Sequence, residues 1–159
     1  MFERFVKDVR RAVVRAAEQE AQELGSVTVE AEHLLLALAA DEDSAVGRLL
    51  AGSGLDHDGL YAALERETER SLAAVGVALT DFTPLRPTAP RRQPRFAASS
   101  KSALHRTVQI AASRKDGYIT PPHLLVGILR ADIGTVPRAL AAAEIDRVEL
   151  LTQAEGLLG

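Results

Sequence analysis

Cysteine is absent from this 159-residue chain, tryptophan is absent too, and methionine occurs once. Without cysteine there can be no disulfide, no thiolate zinc site and no cysteine nucleophile. No apolar run approaches the ~20 residues that a membrane span needs. A large excess of one charge sign is also lacking. The net charge of −3 argues against general nucleic-acid electrostatics. No Gly-x-Ser-x-Gly nucleophile turn occurs, and Ser44, Ser53 and Ser71 have no positioned base. The opening Met1-Phe2-Glu3-Arg4-Phe5 is charged from its first residues, which is not the pattern of a signal peptide. These absences lead us to expect a cytoplasmic protein. Aromatics make up only 4% of the chain while Ala and Leu abound, a bias that favours helix.

What is present is a duplication. Displaced by 90 residues, Val29–Glu65 lies over Ile119–Glu155 without a gap. Ten of the 37 pairs are identical, against roughly three expected by chance, and fixed-offset self-similarity is the mark of a repeat architecture. The identities include His33/His123, Leu34/Leu124, Leu35/Leu125, Arg48/Arg138, Leu50/Leu140 and Asp56/Asp146. Two copies are too few for an open solenoid, and each is too small for a secure core of its own. Two halves sharing one core is the expected arrangement.

Helical periodicity predicts a first helix over about Glu3–Leu24, with Phe5, Val6, Val9, Val13 and Ala17 on one face and Gly25 at its end. A second, about Ala31–Ala40, is apolar on most sides and therefore central. Ser44 and Asp56 are plausible N-caps for a short third helix and for a fourth reaching about Val75. The second copy predicts helices near Ser99–Lys115, Pro121–Arg130, Thr135–Ala143 and Asp146–Leu158. Thr120-Pro121 is the start signal of one and Asp146 the cap of another. No period-2 alternation lasts long enough for a strand. The domain plan is repeat 1 over 1–75, a Pro/Arg-rich linker over 76–95 and repeat 2 over 96–159. The linker holds Pro84, Pro87, Pro90, Pro94, Arg86, Arg91, Arg92 and Arg95. It reads as a solvated extended connector or as a basic docking strip.

The doubled four-helix unit, with His-Leu-Leu at the start of the second helix of each copy, resembles the Clp N-terminal repeat domain. That domain is the substrate- and adaptor-binding module at the front of Clp/Hsp100 unfoldases. Met1-Phe2-Glu3-Arg4-Phe5 followed by Arg10-Arg11-Ala12-Val13-Val14 is similar to the start of ClpC-type chaperones. Val29-Glu30-Ala31-Glu32-His33-Leu34-Leu35 and Ile119-Thr120-Pro121-Pro122-His123-Leu124-Leu125 resemble its two signature segments, and Phe96 sits where the family's second repeat also starts with Phe. The Clp unfoldases continue into ATPase modules with a Gly-x-x-x-x-Gly-Lys-[Ser/Thr] phosphate loop. No such string occurs in this chain, so the expectation is a stand-alone receptor module without the motor, and not an enzyme.

The resemblance implies site residues as well. In some ClpC N-domains the Glu that matches Glu32 helps bind phosphoarginine, a degradation tag. A carboxylate there pairs with guanidinium, and amides at a helix start receive phosphate. Here Pro122 occupies the equivalent place in repeat 2, and Glu30-Ala31 replaces the family's usual Gly-Thr, adding a negative charge. The alternative for Glu32 is a carboxylate favourably placed at the positive end of a helix. His33 and His123 are read as structural rather than as metal ligands. Asp56-His57-Asp58 keeps only Asp146 in the second copy, as a solvated cap would. Phe2, Phe5 and Arg10 are candidates for a peptide and adaptor surface, with burial between the halves as the alternative.

The expected fold is all-α, two four-helix repeats packed as one pseudo-two-fold domain. The expected function is a non-catalytic binding module of Clp-dependent protein quality control, acting as adaptor or decoy. Its expected partners are Clp substrates, adaptors, cyclic-peptide ligands of ClpC or the Clp machinery itself. No cofactor, metal or membrane is implied. The competing class is a regulatory or nucleic-acid interaction protein acting through Arg86–Arg95, with weak and steeply salt-dependent binding. A third, a hydrolase using Asp56, His57 and Asp58, would lose its activity on His57→Ala.

Overall fold

The computed structural model describes residues 2–76 and 94–159, with side chains from residue 11 onward in those ranges. Eight helices are described: α1 (Phe2–Glu23), α2 (Ala31–Ala40), α3 (Ala45–Gly52), α4 (His57–Ala74), α5 (Ala98–Ser113), α6 (Pro121–Leu129), α7 (Thr135–Ala142) and α8 (Arg147–Gly156). The architecture is all-α, two four-helix repeats in pseudo-two-fold arrangement. Linker residues Pro84, Arg86, Pro87, Pro90, Arg91 and Arg92, and the side chains of Phe2, Phe5, Val6, Val9 and Arg10, lie outside what is described.

The capping signals act as side-chain chemistry requires. Ser44 Oγ accepts from the Gly47 amide at 2.9 Å, and Asp56 Oδ1 accepts from the Gly59 amide at 2.8 Å. Asp146 repeats the role for Val148 and Glu149, at 3.0 and 3.2 Å. Each bond satisfies an amide that the first helical turn leaves without a partner. The duplication extends to backbone geometry. Gly25 and Gly54 end their helices at positive φ, 70° and 79°, and their counterparts Lys115 and Glu144 hold the same left-handed turn at 59°. Repeat 2 therefore carries strain that glycine spares repeat 1.

α2 and α6 form the centre. Leu34, Leu35, Leu36 and Leu38 of α2 meet Leu124, Leu125, Val126, Ile128 and Leu129 of α6 in one buried cluster with Leu50, Leu60, Leu140 and Leu150. α1 packs on α2 as α5 packs on α6, and α4 packs across onto α7 of the other half. α2 packs against elements of both halves, α1, α3 and α4 of its own and α5, α6 and α7 of the other.

One expectation is corrected. Thr28–Val29 (β1) and Arg95–Phe96 (β2) pair as parallel strands, with Thr28 opposite Arg95 and Val29 opposite Phe96. Two residues are too short to show period-2 alternation. The pairing arises because the packed halves bring the two lead-ins together, and the Ala97 amide reaches Val29 O at 3.0 Å.

Candidate binding surface at the start of the second helix

The first turns of α2 and α6 are built on the same histidine. The Glu30 amide donates to His33 Nδ1 at 2.8 Å, and the Thr120 amide donates to His123 Nδ1 at 2.9 Å. Each is half of a capping box in which the N-cap side chain returns the bond to the histidine amide. Both rings are buried, His33 4% exposed and His123 3%. An accepting Nδ1 places the ring proton on Nε2. At His123 this Nε2 meets Asp116 Oδ2 at 2.7 Å. That bond, with Arg114 beside it, holds the Asp116 carboxyl below its usual range. At His33 no carboxylate of the described residues meets Nε2, because Ser26 stands where repeat 2 has Asp116 and its hydroxyl donates to Thr28 O at 2.7 Å. Burial pulls His33 below the usual histidine value, so it is neutral at pH 7.

The amides at the start of α2 are occupied. The Ala31 amide donates to Ser99 Oγ at 2.9 Å, and that hydroxyl donates in turn to Glu30 Oε2. The Thr28 hydroxyl donates to Glu30 Oε1 at 3.2 Å. Glu32 takes a bond from its own backbone amide. A carboxylate of the chain thus sits where a helix start would otherwise attract an anion.

Glu32 is half-buried and lies between two open grooves. Burial, and then the neighbouring Glu30 and Glu67 charges, raise its pKa from 4.5 to about 7, against the opposing pull of its backbone bond and Arg138. Glu67, 6% exposed, accepts from Arg138 Nε at 2.9 Å and from Ser71 Oγ at 2.6 Å. This link ties α4 of repeat 1 to α7 of repeat 2. Arg138 was visible in the sequence only as an identity with Arg48. Glu67, Ser99 and Asp116 carried no motif, and three-dimensional proximity alone assigns their roles.

The remaining candidates separate. Asp56 caps α4, while His57 Nε2 lies 2.8 Å from Glu20 Oε1 and so joins α4 to α1. Ser44 caps α3, Ser53 Oγ donates to Leu49 O, and Ser71 serves Glu67. Among the described residues no group of three or more His, Asp or Glu could hold a metal ion. No helix there is long and apolar enough to cross a membrane.

Comparison with known proteins agrees with this architecture. Residues 4–86 and 95–159 match the Clp repeat (R) N-terminal domain family. The chain is 29% identical over 156 residues to the chloroplastic chaperone protein ClpD2 of Oryza sativa subsp. japonica, covering 97% of this chain and 15% of that protein. It is 28% identical over 159 residues to a ClpA-homologous ATP-binding subunit of the Clp protease from Guillardia theta, covering all of this chain and 18% of that one. The chain thus spans less than a fifth of the length of these relatives. In fold it is similar to the N-terminal domain of ClpD from Arabidopsis thaliana, with TM-score 0.69, 24% identity and coverage of 99% and 96% of the two chains. It is also similar to the Hsp104 N-terminal domain from Candida albicans, with TM-score 0.66, 18% identity and coverage of 96% and 90%. Two histidine-anchored helices in one shared core, in a chain matched along both halves, make this protein a member of the Clp N-terminal repeat domain family.

Proposed function

We propose that this chain is a non-catalytic receptor module of Clp-dependent protein quality control, receiving substrates or adaptors as an adaptor or a decoy. The observation that carries this reading is the paired Clp repeat, with an open groove on either side of Glu32. Its 159 residues contain no phosphate loop of the Walker type, so bound clients are not passed to an ATPase within these residues. Added in trans to a ClpC-dependent degradation assay, a decoy slows substrate loss and an adaptor speeds it. An unchanged rate at saturating amounts removes both.

Phosphoarginine recognition at Glu32 is expected to be weak. The guanidinium partner is present, but Glu30 and Ser99 occupy the amides that would receive phosphate. Calorimetric titration with free phosphoarginine is expected to give little heat, and Glu30→Gln is expected to increase it by removing the competing charge. Tight binding by the wild type that is lost in Glu32→Ala would show instead that the tag displaces Glu30.

A further inference from the structure

We draw no further inference here: the strongest candidate, the open groove between the start of α2, α5 and the first turn of α7, lined by Arg106, Arg130 and Arg138 together with Glu30, Glu32 and Asp132, belongs to the binding surface already described around Glu32.

Discussion

Gly127→Ala is expected to destabilise the domain by about 3 kcal/mol or more, near the upper end of overpacking costs. α6 lies so close to α5 that a Cβ at this position would be 2.3 Å from Thr107 Oγ1, 2.8 Å from Ala103 O and 3.1 Å from the Thr107 amide nitrogen. Two of those three atoms are backbone, so no rotamer change relieves them. The Thr107 hydroxyl is itself buried and donates to Ala103 O at 2.7 Å. Arg106 Nε holds Gly127 O at 2.7 Å from the same helix, which further opposes separation. The counterpart in α2 is Ala37, whose methyl is accommodated, so the repeats differ by one methyl group in how closely their first two helices approach. Urea unfolding of Gly127→Ala and of Thr107→Ala/Gly127→Ala checks this. The double variant should regain only part of the loss, because the backbone clash with Ala103 O remains. An unchanged midpoint in the single variant would mean that α5 and α6 can part freely.

Glu32→Gln is expected to stabilise the protein, and only above a definite pH. The Glu32 carboxyl has a pKa raised from 4.5 to about 7 by burial and by Glu30 and Glu67. Well below pH 4.5 the group is protonated folded and unfolded, and contributes no difference. Between the two values the unfolded chain ionises while the folded chain keeps its proton, so stability falls as pH rises. Above about 7 the cost is complete. A shift of this size corresponds to about 3 kcal/mol at most, and partial exposure reduces the expected gain in Glu32→Gln to about 1–2 kcal/mol. Unfolding curves at mildly acidic and mildly alkaline pH should therefore differ less for Glu32→Gln than for the wild type. The same slope in both proteins would place the penalty elsewhere. A carboxylate kept at the mouth of a groove at a cost to the fold suits a group that serves a ligand.

The helices were legible because their signals are local. The α2 boundaries agree with the apolar run, Ser44, Asp56 and Asp146 cap as their spacing predicts, and Thr120-Pro121 opens α6. α8 ends at Gly156, two residues before the expected Leu158, since an amphipathic pattern does not say where the last turn frays. The paired lead-ins β1 and β2 were not legible, because a two-residue strand has no period to read. Glu32 was singled out through the family resemblance, but its environment was not. Glu67 is 35 positions away in sequence, Arg138 lies in the other repeat, and neither belongs to a motif shared with Glu32.

By itself, then, the sequence determined the two-fold repeat, the helix starts, the apolar central helices and the exclusion of thiol chemistry. Each follows from residue type and spacing within a few turns of chain. Only the tertiary structure decided what His33 and His123 do with their second nitrogen. One meets a carboxylate and the other meets none among the described residues, because a single position before each helix is Asp116 in one repeat and Ser26 in the other. Only the tertiary structure, too, set Ser99 and the Glu30 carboxylate over the start of α2. Spacing along a chain fixes which face a side chain takes on its own helix. Which partner that face meets depends on how separate elements pack: Glu67 of α4 and Arg138 of α7 set the charge around Glu32, and Ser99 of α5 takes the Ala31 amide beside it.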